Sequence, residues 1–434
     1  MRRQSNPYDV VIAGGGLVGA TLAYGLALNG LSCAVIEQNS RTKPRSAHQE
    51  LDARPIALSH ISRNILAALP WPGPRSEKIQ SSLWEQLAPR VTAIHNIHVS
   101  DQQGLGIARL NYTDEALPGL GYIVTYHDLM EVLYTALGQM PLINLICPAQ
   151  VTAIKVDHTA AQLTLKQGGN YKKLTALLVV GADGNPSFVS QHCGMQHKQF
   201  HYRQNAIATT LAVQRPHFNT AYERFTAQGP LAFLPLSGQR YGLILCHSAS
   251  QTDTLIKMTD AQFLQYSHSQ FGHYLGRFLQ CGPRQCFPLS LQYIVDPVRP
   301  RLMVMGNAAH TLHPIAGQGF NLALRGVAHL LEILTHAHRQ GEDIGAESLL
   351  KKYSEKHHLD VQRAIGFTHD LVSLFSTTNP VLTWIRNTGL QFLDTSKPLK
   401  HLLAKTAQGF RPGLAPLSRG MLPEIFLQKE NHET

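Results

Sequence analysis

The sequence predicts an α/β protein, with a Rossmann-like dinucleotide-binding domain, an inserted and mainly antiparallel β-sheet substrate domain, and C-terminal helices. Three observations carry that expectation. Tyr8 to Asn29 reads as strand, glycine-rich turn and helix. Five β-type runs separated by Gly, Pro or polar turns occupy residues 206–294. A long apolar-periodic segment then starts at Phe320, behind a second glycine-rich loop. At 434 residues the chain exceeds one ordinary domain, which leaves room for two cores.

Taken in order, Tyr8-Asp9-Val10-Val11-Ile12-Ala13 is a buried parallel-strand run. Gly14-Gly15-Gly16-Leu17-Val18-Gly19 follows, then a small apolar helix, Ala20 to Asn29, that Gly30 stops. The next apolar run, Leu31 to Ile36, ends at Glu37, eighteen residues past Gly19. This is the dinucleotide fingerprint in the context it needs. Gly14 makes the tight turn, Gly16 admits a pyrophosphate, Gly19 allows close helix packing and Glu37 faces ribose hydroxyls, with Gly15 and Gln38 adjoining. FAD and NAD both use such a unit. With no second GxGxxG between a strand and a helix, the chain points to one tightly held dinucleotide, FAD.

Asp52 to Ser59 is expected to open a helix running to about Leu69. Arg54, just ahead of it, either meets a phosphate or flavin edge or pairs with Asp52, and spacing does not separate the two. Pro70 to Arg75 marks a crossover between layers. Val91 to Val99 reads as one strand with a mostly polar face, broken at Ile94-His95, and Tyr122 to Thr125 as another, with His127 to Leu137 a helix. Val151 to Val156, Gln162 to Lys166 and Leu174 to Val180 are successive strands, the last two joined by a hairpin turn at Gly168-Gly169-Asn170. The third runs into Gly181-Ala182-Asp183-Gly184. There the Asp183 carboxylate either approaches a pyrophosphate or nicotinamide, or simply closes a turn. In the middle section, the apolar face with Phe225, Phe233 and Leu234 either covers a pocket beside the cofactor or packs a core.

Leu302 to Met305 is a short apolar run that Gly306 breaks; Pro314 forbids a regular helix, and Gly317 and Gly319 bracket a loop before the helix Phe320 to Arg339. That helix N-terminus faces whatever lies above the strand. Its unpaired N–H groups and positive dipole end favour an anionic or electron-rich group, and the glycines admit a flat ligand. Further helices are expected over Gly345 to Phe375 and Val381 to Lys405. The last sets Trp384, Ile385, Leu390, Phe392 and Leu393 beside Arg386, Lys397, Lys400 and Lys405, an apolar face flanked by bases that either caps the domain or lies on a membrane.

Net charge is +10, from 38 Lys plus Arg against 28 Asp plus Glu, but the bases are scattered. No nucleic-acid partner is expected, and attraction to an anionic lipid surface or acidic partner stays open. Six cysteines show neither CxxC nor zinc spacing, so they are expected to be reduced thiols, with no metal site. The apolar run after Met1-Arg2-Arg3 is too short for a secretory signal, and no stretch approaches the roughly 18 residues of a membrane span. A cytoplasmic protein, soluble or peripheral at the inner face of the membrane, is the expectation. The 23 histidines offer no unique base, His310 and His313 are expected to structure their loop, and the catalytic residue is unknown at this level.

Three separated motifs, Gly14 to Gly19 with Glu37, Gly181-Ala182-Asp183-Gly184, and Gly306-Asn307 through Asn321, together resemble the flavin-dependent aromatic hydroxylases of the para-hydroxybenzoate hydroxylase type. The run His313 to Asn321, with Glu223-Arg224-Phe225-Thr226 and Gly306-Asn307-Ala308-Ala309, is similar to the ubiquinone-biosynthesis group among them. The resemblance runs from about Asp9 to about Phe410. It implies that Gly14, Gly16, Gly19 and Glu37 hold the adenosine half of FAD, Arg54 the flavin side and Asp183 the pyrophosphate region. It places Gly306 and Asn307 at the ribityl chain and Gly317, Gln318, Gly319 and Asn321 near the flavin pyrimidine, with Pro314 a further cofactor-binding candidate. It further implies NAD(P)H as transient reductant, O2, a flavin C4a-hydroperoxide, and ring hydroxylation of a polyprenyl phenol beside other ubiquinone-biosynthesis proteins. Asn307 stands where most relatives have Asp, and Ser190 replaces a common Arg, which bears on how NADPH is gripped.

Residues 1–75, 106–190 and 291–350 are expected to form the FAD-binding domain in three pieces, 76–105 and 191–290 the substrate domain, and 351–434 a C-terminal helical region. A hydroxylase of another aromatic or isoprenoid substrate, or a flavin-binding scaffold subunit without turnover, are the alternatives.

Overall fold

Val10, Val11 and Ile12 are fully buried on both faces of their strand, which is why Tyr8–Ala13 sits inside a largely parallel sheet. The computed structural model describes residues 7–40, 54–73, 81–102, 104–375 and 380–421. Across this sheet the order is Val298–Arg299, Leu302–Val304, Asn170–Gly181, Tyr8–Ala13, Cys33–Ile36 and Ile143–Ile146. The hairpin strands Gln150–Val156 and Ala161–Gln167 extend it antiparallel to Asn170–Gly181. Val10 and Ile12 pack on one side with the helices Leu17–Leu28 and Gln318–Arg339, and Val11 and Ala13 on the other with Val151, Leu163 and Val179. Gly25 permits the close approach of those two helices: a Cβ there would lie 2.4 Å from Leu331 Cδ1.

The second sheet has nine strands, ordered His310–Thr311, Gln285–Ile294, His197–Val213, Arg240–Ser248, Gly229–Leu236, Thr220–Thr226, Asn96–Asp101 and Ile107–Asn111, with Phe278–Cys281 paired to His197–Val213. Its pairs are antiparallel except Thr220–Thr226 against Asn96–Asp101. The sheet takes in Ile107–Asn111 as well as Asn96–Asp101, so its first contribution extends past residue 105. One face carries the helices Ala249–Lys257 and Asp260–Phe271, which the sequence reading passed over although Thr259 and Gln262 form a capping box. The other face looks into a cavity.

Several expectations change in three dimensions. Pro55–Leu58 is a strand, paired with Tyr122–Thr125, and the helix begins only at His60, capped by the Ser59 side chain. Sheet pairing decides that outcome over the helical pattern. The run from Val91 to Val99 divides at Ile94-His95: Thr92–Ala93 joins Tyr122–Thr125, while Asn96–Asp101 enters the nine-stranded sheet. Phe233 turns away from the cavity, its ring centroid 4.2 Å from that of Phe271, whereas Phe225 and Leu234 face it. Neighbouring residues of a strand point to opposite faces, so Phe233 and Leu234 never shared one. Asp52 lies outside the described residues.

Glu347–Phe375, Pro380–Thr395 and Lys397–Gln408 are the last three α-helices among the described residues. They divide the expected apolar face. Leu390 and Leu393 pack inward beside Phe225 and Ile315, while Trp384 and Phe392 are 68% and 63% exposed. No helix among the described residues is long and apolar enough to cross a membrane.

Candidate active site

Both glycine-rich turns open onto one cavity of about 1430 Å³, bounded by the two sheets and the C-terminal helices. Gly14, Gly16, Glu37, Gln38, Arg54, Asp183, Asn307, Pro314, Gly317, Gln318, Gly319 and Asn321 all line it, whereas Gly15, Gly19 and Gly306 do not.

At the first turn Gly14 has φ +105°, and a Cβ on it would lie 2.3 Å from the Ala182 carbonyl oxygen. A Cβ on Gly19 would lie 2.0 Å from the Gly14 oxygen. Those two glycines allow backbone to meet backbone. Gly16 differs, because its Cβ would meet nothing within 4 Å. It is also the N-cap of Leu17–Leu28 and supplies no side-chain cap, so the first-turn N–H groups are left for a ligand. Gly15 N–H donates to Glu37 Oε2 at 2.9 Å, and Glu37 Oε1 accepts from Asn39 N–H at 2.8 Å. The carboxylate is thereby fixed at the end of Cys33–Ile36, with lone pairs to spare for hydroxyls.

The second turn repeats this arrangement. Gly317, φ +58°, is the N-cap of Gln318–Arg339, again without a side-chain cap, and Gly319 has open space where a Cβ would be. Asn321 holds the loop in place. Its Nδ2 donates to the carbonyls of Ala57 and Gly317, at 2.8 and 2.7 Å, and its Oδ1 accepts from Ser59 N–H and Ser62 Oγ at 2.8 and 2.7 Å. The side chain is fully used by protein, so its role toward a ligand is to shape the loop. Asp183 is similarly occupied, accepting from Ser187 Oγ at 2.7 Å and Val189 N–H at 3.1 Å. Arg54 lies 4.7 Å over the ring of Tyr126, another cavity residue.

Two uncapped helix N-termini on one cavity, each behind a glycine with no Cβ to obstruct it, fit a long ligand carrying a pyrophosphate at one end and an electron-rich flat ring at the other. FAD has that form. The FAD binding domain family matches residues 7–368.

The chain belongs to this family.

It is 34% identical over 402 residues to ubiquinone hydroxylase UbiL of Rhodospirillum rubrum, covering 92% of this chain and 89% of that one. It is 30% identical over 409 residues to 3-demethoxyubiquinol 3-hydroxylase of Escherichia coli, covering 93% and 99%. Among solved structures, p-nitrophenol 4-monooxygenase PnpA from Pseudomonas putida shares the fold, with a TM-score of 0.76 at 14% identity over 93% of this chain and 99% of that one. The chain is thus an FAD-dependent monooxygenase.

Three further residues of this monooxygenase line the cavity: Arg386 and Glu223, which were not expected as site residues, and His313, which was expected to structure its loop. His313 is buried, its Nδ1 accepts from Ile315 N–H at 3.2 Å, and its Nε2 has no partner among the described residues. Burial pushes its pKa down to about 4, so it is neutral at pH 7. Arg386 joins the wall through Asp101, a partner 285 positions away that no local pattern could have indicated. Glu223 interrupts an inward-facing set, Ala221 and Phe225, and an acid at an apolar position of an alternating strand was the available signal.

Proposed function

We propose that this monooxygenase hydroxylates the aromatic ring of a prenylated phenol in ubiquinone biosynthesis, drawing on NAD(P)H and O2. The observation that carries the reading is the course of the cavity. Its lining takes in the dinucleotide turn, the 312–321 loop and apolar residues of the second sheet, Val99, Ala232 and Ile244. It reaches the surface at Leu374 and Ile385, which line it and are 40% and 48% exposed. A chamber of that kind suits a ring with a long hydrocarbon tail leaving through the mouth.

The adenosine half of FAD falls to Gly14, Gly15, Gly16, Gly19, Glu37 and Gln38, with Asp183 near the pyrophosphate. Gly306 and Asn307 serve the ribityl chain, Arg54 the flavin side, and Pro314, Gly317, Gln318, Gly319 and Asn321 the pyrimidine side. When bound, FAD supplies the redox and oxygen chemistry. The protein's own part is to orient the phenol, exclude water and manage its proton. Purified protein is expected to carry FAD absorbance, to be bleached by NADPH without air, and on reoxidation to add one hydroxyl to a prenylated methoxyphenol. A protein that stays colourless after reconstitution with FAD would sink the reading.

The mouth also favours peripheral contact with the membrane that dissolves such a substrate. Trp384 and Phe392 are exposed on Pro380–Thr395, and Leu105, 84% exposed, sits on a loop bonded to that helix through Asn387, with Lys397 and Lys405 nearby in sequence. Full-length protein should float with anionic liposomes at low salt, and Trp384→Glu with Phe392→Glu should release it. Equal flotation of both proteins would refute this surface.

A further inference from the structure

Thr220–Thr226 alternates, so Ala221, Glu223 and Phe225 share the cavity side. Val99 stands opposite Glu223 on one neighbouring strand and Ala232 on the other, with Ile244 beyond Ala232. Glu223 is therefore an acid set in an apolar floor.

The other two carboxylates lining the cavity, Glu37 and Asp183, have both oxygens engaged by N–H or O–H donors. Glu223 makes no hydrogen bond or ion pair among the described residues. Arg224 turns to the opposite face, where it donates to Ser100 Oγ at 3.2 Å and to the Gln270 carbonyl at 3.1 Å. On Pro380–Thr395, Arg386 is bound to Asp101, which itself ends the Asn96–Asp101 strand. The 312–317 loop presents His313, which is neutral. Arg240–Ser248 presents Cys246, a thiol that burial keeps protonated. Gly229–Leu236 offers no charge at all. Among the described residues no charge facing the chamber neutralises Glu223, and a desolvated carboxylate without a partner is unfavourable.

We propose that Glu223 takes the hydrogen bond, and then the proton, of the substrate's ring hydroxyl. The inference rests on the phenol-hydroxylase reading above. In this step the phenolic O–H bond breaks and an O–H bond forms on the carboxylate. The electron pair stays on the phenolic oxygen, where it enriches the ring for attack on an electrophilic oxygen. After the product leaves, the carboxyl returns its proton to solvent. Desolvation raises Glu223 to about 7, which makes it a stronger proton acceptor than an exposed glutamate.

Glu223→Gln and Glu223→Asp holoenzymes test this at matched FAD content. Wild type should show a ring-hydroxylation limb rising through pH 7. In Glu223→Gln that limb should disappear, the rate at pH 7.5 should fall by about 100-fold or more, and activity should climb only toward the phenol's own pKa near 10. Glu223→Asp should restore part of the limb. A second readout needs neither substrate nor FAD. With a folded-state pKa of about 7 against 4.5 unfolded, the folded chain holds the extra proton between those values. Stability should then fall as pH rises from 4.5 to 7 and level off above, and Glu223→Gln should lack that component of the pH dependence.

An unchanged rate and pH profile in Glu223→Gln would overturn the inference while leaving the enzyme a phenol hydroxylase. Failure of the wild type to hydroxylate any phenol would overturn the functional reading instead. A Glu223→Gln protein with wild-type pH dependence of its melting temperature would show that the carboxylate is solvated and would equally overturn it.

Discussion

Valine at position 16 should give a folded protein without flavin. Gly16 has φ −65° and ψ −178°, ordinary extended backbone, and its Cβ would meet nothing within 4 Å. A valine there is accommodated by the protein, at an N-cap cost of roughly 1 kcal/mol. Its methyls fill the space through which a pyrophosphate would reach the N–H groups of Leu17–Leu28. Losing one or two charge-assisted hydrogen bonds, each about 1.5–3 kcal/mol, predicts at least a 100-fold weaker FAD complex. Gly14→Ala should behave differently. At φ +105°, with its Cβ 2.3 Å from Ala182 O, it strains two strand ends and should impair folding itself. Flavin absorbance and far-UV dichroism measured on both variants separate a ligand effect from a folding effect. Wild-type flavin content in Gly16→Val would mean that the pyrophosphate does not cross this turn.

Arg386→Ala should be the more destabilising surface-distant change. Arg386 and Asp101 are 4% and 3% exposed, joined at 2.7 Å through Nε and 2.5 Å through the second guanidinium nitrogen. Arg386 also donates to the Leu374 carbonyl at 3.2 Å, so it ties Pro380–Thr395 to both the second sheet and the end of Glu347–Phe375. Truncation leaves a buried carboxylate without its cation, for which about 3–5 kcal/mol is the usual cost. Asp101→Leu combined with Arg386→Met should recover most of that loss, because two apolar groups need no compensation. Thermal denaturation of the single and double variants checks both statements. A single variant within about 1 kcal/mol of wild type would show that the pair does not hold this helix.

What could be read from the chain was what short-range geometry dictates. The Gly14 to Gly19 turn, the strand before it, the helix after it and Glu37 form one local βαβ unit, and each glycine's role follows from how closely backbone must approach within that unit. The 306–321 loop was legible for the same reason, since Pro314 restricts the backbone and Gly317 and Gly319 free it whatever surrounds them. Burial across the fold was not legible in this way. Pro55–Leu58 became a strand because Tyr122–Thr125 lies beside it, and Val91 to Val99 divided between two sheets because each part found a different partner. Asn321 spends its side chain on Ser59 and Ser62, about 260 positions away, as only the folded chain brings them together. The sequence by itself therefore determined a dinucleotide cradle and a second glycine-led helix terminus on the same cavity. Tertiary structure alone decided that Arg386 is neutralised by Asp101 while Glu223 has no counterpart among the described residues, because charge compensation and desolvation depend on what the rest of the fold places within a few ångströms.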